Sequence, residues 1–135
     1  MIKYTLFLLI ASSLFLNATA KCTLYIASNL PLNSPPLQVH CASKDYDLGY
    51  HSLATGEEYI LSFDEKPFST LFTCRFVWNK NNKVFHVYDE RSKECSETGV
   101  RYYAVKPEGF YFTNVYPPKK LGFQCDWKQN FSSKC

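Results

Sequence analysis

Residues 71–78 read Leu71-Phe72-Thr73-Cys74-Arg75-Phe76-Val77-Trp78, and residues 84–88 read Val84-Phe85-His86-Val87-Tyr88. In the first run Phe72, Cys74, Phe76 and Trp78 fall on one side, with Leu71, Thr73, Arg75 and Val77 on the other. In the second, Phe85 and Val87 oppose Val84, His86 and Tyr88. A side-chain period of two is that of a half-buried β-strand. Asn79-Lys80-Asn81-Asn82 separates the two runs and supplies turn chemistry, so the pair reads as a hairpin.

The same pattern recurs on both sides. Leu37, Val39 and Cys41 alternate with Gln38 and His40. Tyr59, Leu61 and Phe63 alternate with Ile60 and Ser62. Leu121, Phe123, Cys125 and Trp127 alternate with Gly122, Gln124 and Asp126. Shorter candidates are residues 23–27, 101–105 and 110–114. Proline and glycine punctuate the intervals at residues 31–36, 45–49, 55–56, 107–109 and 117–118. No segment beyond residue 20 sustains a helical period. The sequence predicts an all-β fold, an antiparallel β-sandwich of about eight strands.

A chain of 135 residues, 46% hydrophobic and 20% charged, suits one globular domain. It excludes collagen, coiled coils, polytopic membrane proteins and large multi-domain enzymes. A formal net charge of +3 is too small to mark a nucleic-acid-binding protein.

Residues 1–20 are set apart from the fold. Lys3 begins a positive region, Leu6 to Leu16 is apolar, and Ala18-Thr19-Ala20 is a small-x-small cleavage pattern. The apolar run spans about 16 Å as helix, against a hydrocarbon layer of about 30 Å. It is therefore expected to be a secretory signal peptide rather than an anchor. Residues 21–135 form the expected secreted domain, extracellular and not membrane-embedded.

All six cysteines (Cys22, Cys41, Cys74, Cys95, Cys125 and Cys135) lie past the cleavage point. An even set in an oxidising compartment predicts up to three disulfides, with the pairing left open by the sequence. No C-x-x-C pair favours zinc. Asn130-Phe131-Ser132 is a glycosylation sequon.

The search for chemistry returns little. His40 and His86 fall on polar strand faces, and His51 follows Gly49-Tyr50 in what reads as a loop. None has metal-site spacing, and no nucleophile elbow or phosphate-cradling loop occurs. The pairs Glu57-Glu58, Asp64-Glu65 and Asp89-Glu90 are sequence neighbours, which point to opposite faces of a strand rather than into one cleft. Asp45-Tyr46-Asp47 has the oxygens for weak calcium binding but lacks the EF-hand pattern. The expectation is a non-enzyme without metal or cofactor. The aromatics (17% of residues) serve a core first. Tyr102 and Tyr111 are the exception, falling on the face opposite Tyr103, Phe110 and Phe112, where an exposed row would stack sugars or bases.

Several blocks together resemble one family. They are Leu37-Gln38-Val39-His40-Cys41, then Ser43-Lys44-Asp45-Tyr46-Asp47-Leu48-Gly49-Tyr50-His51. Gly56 and Tyr59, residues 70–78, Phe85-His86-Val87-Tyr88, Cys95, Glu108-Gly109-Phe110-Tyr111 and Asp126-Trp127 follow in order. In this order they resemble the plant self-incompatibility proteins, or S-protein homologues. Two departures stand out. Arg101 and Tyr103 occupy positions where the family has cysteine and tryptophan, and Cys22, Cys125 and Cys135 are extra. Cys74 or Cys95 is therefore expected to have found a partner among the extras.

The resemblance implies a small secreted β-sandwich without enzymatic activity that acts as a recognition ligand for a cell-surface receptor protein, as a monomer. The expected contact segments are loops at residues 45–50, 79–83, 89–98 and 116–120, with Asp45, Asp47, Asn81, Glu90, Arg91, Lys93 and Glu94 as candidate contact residues. A secreted inhibitor or a carbohydrate-binding module of the cell wall is the alternative.

Overall fold

The computed structural model describes residues 21–64, 71–89, 94–129 and 135. The strands are β1 (Lys21–Ser28), β2 (Leu37–Ala42), β3 (Asp47–Leu53), β4 (Glu58–Asp64), β5 (Leu71–Trp78), β6 (Asn81–Asp89), β7 (Val100–Lys106), β8 (Gly109–Thr113) and β9 (Gly122–Cys125). One short helix, α1 (Glu94–Thr98), links β6 to β7. Sheet A has the order β4-β1-β7-β8-β9 and sheet B the order β3-β2-β5-β6. Among the described residues no helix is long and apolar enough to cross a membrane.

Alternation builds the interior. Leu37, Val39 and Cys41 of β2, and Phe72, Cys74 and Phe76 of β5, are buried while their neighbours are not. They meet Leu24, Ile26, Tyr103, Val105 and Phe110 from sheet A. Phe85 sits at the centre, edge-on to Tyr103 and Phe110 with centroids 5.6 and 5.1 Å away. Such aromatic pairs add about 0.5–1.5 kcal/mol each beyond their buried area.

Three details depart from the plain pattern. First, β1 and β7 pair in parallel at the middle of sheet A. Parallel strands occur where both faces are covered, and every residue of Arg101–Val105 is buried. Second, bulges reassign faces. The register slips between Phe110 and Tyr111, so Phe123 joins Tyr111 on the outer face while Cys125 stays inside with Phe110. The expected single face for Leu121, Phe123, Cys125 and Trp127 is thus divided. A similar slip at Phe72/Thr73 turns Tyr88 inward, against Phe63. Third, residues 47–53 form edge strand β3 instead of a loop, so His51 lies on a strand.

The cysteines pair as Cys22–Cys95, Cys41–Cys74 and Cys125–Cys135. Cys41 and Cys74 are directly opposed across β2 and β5. Cys95 takes Cys22, which ties α1 to the start of β1. Arg101, at a position where the resemblance would put another residue type, is buried in sheet A. It donates to the Val87 carbonyl and the Tyr103 hydroxyl (2.7 Å each) and lies 4.7 Å over the Phe112 ring.

The free edge of β6 is covered by residues 126–129. The Gln129 amide accepts from Val84 N (2.9 Å) and donates to Val84 O (3.0 Å), standing in for a strand backbone. Trp127 packs on Phe110 and donates to the Lys106 carbonyl (3.0 Å). Lys83, expected on an exposed segment, has no exposed surface and donates to the Lys128 carbonyl. Burial pushes its ammonium below the ordinary value, and the Asp126 charge partly opposes this.

Candidate recognition surface

The β2–β3 hairpin is the most tightly organised exposed feature. At its tip Ser43 N donates to Tyr46 O (2.8 Å) and Tyr46 N to Ser43 Oγ (3.2 Å). Two residues of β3, Leu48 and Gly49, then oppose the single residue Cys41. That bulge needs a left-handed backbone, and glycine supplies it at φ 80°. Asp47 Oδ1 accepts from Gly49 N (3.0 Å) and pairs with His40 Nε2 (2.6 Å). The Gly49 hydrogen bond first, and His40 second, hold the Asp47 carboxyl below its ordinary range.

The His40 ring stacks on Tyr50 at 4.1 Å. On the inner side, His51 stacks on Tyr59 of β4 at 4.1 Å and its Nε2 meets Leu48 O at 3.0 Å. Both histidines are thus hairpin supports. The result is a fixed platform from which Tyr46 and Tyr50 project, 70% and 77% exposed. The remaining outer face of sheet B is polar and paired laterally: Gln38 with Ser52, Thr73 with His86, and Arg75 with Asn82.

The sequence-derived contact residues separate in space. Asp45 and Asp47 are exposed on the hairpin. Asn81 opens β6 opposite Trp78, across a two-residue turn at the other end of sheet B. Asn79 is left-handed there, φ 54°. The β5 start and β6 end pair as Leu71 with Asp89, beside the hairpin end of β2, so residues 45–50 and the end of β6 share one end. Glu94 is in α1, and its side chain lies outside what is described, as do Glu90, Arg91, Lys93 and Asn130. Among the described residues no three histidine, cysteine, aspartate or glutamate side chains converge as metal donors.

The outer face of sheet A differs. Tyr102 and Tyr111 do lie there, but Tyr102 is buried with Ala27 and Ala104, and Tyr25, Tyr111, Val100 and Leu121 pack around them. Residues 114–121 fold over this layer. Tyr116 stacks on Tyr25 at 4.2 Å, and its hydroxyl donates to Glu58 Oε2 (3.1 Å). Tyr102 OH reaches Glu58 Oε1 at 3.5 Å, and burial first, with Glu58 second, pushes its phenol up to about 12. Tyr102 and Tyr111 therefore form no exposed row, and the more exposed rings of this face are Tyr116 and Phe123, 46% and 55% exposed.

Alternation did not single out Tyr46, Tyr50 and Tyr116, which fall in the expected contact segments 45–50 and 116–120, and it put Phe123 on one face with Cys125. Tyr46, Tyr50 and Phe123 sit at turns or bulges that reset the face, and Tyr116 is in a connection. The signals were available locally: Gly49 marks the β3 bulge, and the paired prolines after Tyr116 mark a fixed loop.

Comparison with known proteins agrees with these blocks. A model of the plant self-incompatibility protein S1 family matches residues 23–127. S-protein homolog 5 of Arabidopsis thaliana is 35% identical over 92 residues, covering 66% of this chain and 69% of that protein. S-protein homolog 29 of the same plant is 39% identical over 84 residues, 62% of each chain. S-protein homolog 9 is 30% identical over 112 residues, 80% of each. No solved structure matches. A disulfide-stapled two-sheet fold and a family match across both sheets lead to one conclusion: the chain belongs to the plant self-incompatibility protein S1 family.

Proposed function

We propose that this protein is a secreted, non-enzymatic recognition ligand that binds a cell-surface receptor protein through its β2–β3 hairpin. Residues 1–20 direct export and are removed after Ala20, and Asn130 accepts a glycan. The observation that carries the reading is the rigid display of Tyr46 and Tyr50 above the His40–Asp47–Gly49 lock. Exposed tyrosines on a fixed scaffold bury large area at low entropic cost on binding, and they are enriched among interface hot spots. Family membership supports an extracellular role of the self-incompatibility type. The histidines, which a hydrolytic site would need free, are engaged in hairpin and strand contacts.

The test is binding of the labelled, oxidised, secreted protein to intact plant cells, pollen included, with a reduced sample as control. Saturable binding is expected, lost on reduction, and weakened about tenfold or more in a Tyr46→Ala/Tyr50→Ala variant with an unchanged circular dichroism spectrum. Absence of saturable binding on every cell type would refute the ligand reading. Equal binding by the double variant would remove the hairpin from it.

A further inference from the structure

The outer face of sheet A lies on the other sheet from the hairpin. We propose that it binds an acidic pyranose chain, a uronate oligosaccharide, which lies across Tyr116 and Phe123 and places its carboxylates on Lys119 and Lys120.

The rings come first. Tyr116 rests on Tyr25 of β1 and is fixed at its hydroxyl by Glu58, so one ring face is spent and the other is open. Phe123 of β9 packs edge-on to Tyr111 at 5.4 Å and leaves its own face half exposed. Strands β1 and β9 are three strand spacings apart, about 14 Å. The separation suits a chain of several sugars rather than one. A pyranose has an apolar C–H face and a polar rim, and stacking on rings that already have tyrosine hydroxyls nearby satisfies both.

Charge then selects the sugar. The carboxylates beside these rings are engaged, Glu58 by Tyr116 and Tyr102 and Glu108 by the Tyr111 hydroxyl (2.9 Å), while Asp64 is exposed at the far end of β4. Lys106 is engaged as well, with its ammonium 4.4 Å over the Tyr111 ring. Lys119 and Lys120 are exposed at the rim. The Lys119 carbonyl accepts from Thr113 Oγ1 (2.9 Å), which anchors the loop directly on the face. Lys120 has φ 52°, a conformation where glycine is favoured, so the position keeps a lysine side chain at a backbone cost. Cations beside stacked rings complement a ligand with one carboxylate on each sugar.

The experiment titrates the full oxidised protein with a galacturonate hexamer, followed by calorimetry and by side-chain NMR of Tyr116 and Phe123. A cellulose-derived hexamer and polyglutamate serve as probes of charge and ring recognition. Saturable galacturonate binding is expected, falling as sodium chloride rises. It should drop about tenfold in Phe123→Ala and in Lys119→Gln/Lys120→Gln, and persist in Tyr46→Ala/Tyr50→Ala. Phe123 and both lysines are exposed, so these variants keep the fold, as thermal melts will verify.

Three results would overturn the proposal. Equal or tighter binding of the neutral hexamer would remove the role of the lysines. Equal binding of polyglutamate would remove the role of the rings. No galacturonate binding, with self-association that Phe123→Ala abolishes, would make this face a contact between two copies. None of these touches the receptor reading, which the hairpin variant tests separately.

Discussion

The two outer faces of the sandwich arise from strands with the same inward alternation, yet they are built differently. On sheet B the outward residues, apart from Tyr50 stacked on His40, are mostly short or polar and pair sideways, as His40 with Asp47, Thr73 with His86 and Arg75 with Asn82. Nothing described lies above them. On sheet A the outward residues include Tyr25, Tyr102 and Tyr111 around Ala27 and Ala104, and residues 114–121 close over them as a further layer. Small side chains at the centre let the tyrosines lie down; Glu58 accepts from the Tyr102 and Tyr116 hydroxyls, and Glu108 from that of Tyr111. The period of two decides which residues enter the main core. The size of the outward set decides whether a second layer forms.

Glycine substitutions should break the contrast most sharply. Gly109 opens β8 with φ 148°, and a methyl there would sit 2.2 Å from the Cys125 carbonyl oxygen. Gly109→Ala is expected to destabilise by about 3 kcal/mol or more, through backbone strain plus displacement of β9. Gly49 on the sheet B side has open space around it, so Gly49→Ala should cost only the left-handed strain, about 1–2 kcal/mol. Urea melts of the two variants measure the difference, and equal losses would show that packing at β9 is looser than described.

Tyr102→Ala comes next. A buried aromatic lost from the covered face should cost about 3–5 kcal/mol in urea unfolding. A smaller loss, under about 1 kcal/mol, would mean that residues 114–121 do not cover the face.

The same tyrosine gives a pH signature. Its phenol ionises near 10 when unfolded and at about 12 when folded. Its contribution is therefore complete below pH 10 and is lost as pH rises from 10 to 12, because the unfolded chain releases its proton first. Brief alkaline unfolding should show this slope, and Tyr102→Phe should reduce it.

Asp47 is the mirror case on sheet B. Its folded carboxyl lies below the ordinary value of 3.8, held by Gly49 N–H and then His40. Its support of the hairpin is present above that pH and fades as pH falls through the folded value. Exchange of the Gly49 amide should quicken relative to its intrinsic rate below about pH 4, and Asp47→Asn should remove that pH step. The smallest effect is expected at Arg75, where Arg75→Ala should change stability by no more than about 0.5 kcal/mol.

Much of the sandwich was legible because Leu37, Val39, Cys74, Phe76 and Phe85 follow the period of a half-buried strand. The edge strand β3 was not, since it buries little and its period is broken at Gly49. Phe123 and Tyr88 were assigned to the wrong faces because a bulge shifts parity without a residue-type signature. Lys83 was read as a turn cation, and only residues 126–129, distant in sequence, account for its burial. Asp45 and Asp47 were read as part of an exposed loop, where the structure has a hairpin tip and the start of β3. Tyr46 and Tyr50 lay in the same expected contact segment but were not singled out, because exposed and buried aromatics look alike in a strand.

The parallel pairing of β1 with β7 has a consequence for how the chain is made. Strand β1 is the first of the described strands to be synthesised, yet its neighbours in sheet A are residues 58–64 and 100–106. Its cysteine, Cys22, waits across 73 positions for Cys95. Strand β1 therefore waits first for β4 and gains its second neighbour, β7, only after residue 100, and such long-range closure slows folding. During that interval Leu24, Ile26 and an unbridged thiol are open to other chains. Topology thus sets a vulnerable window during synthesis, which closes when Cys95 reaches Cys22.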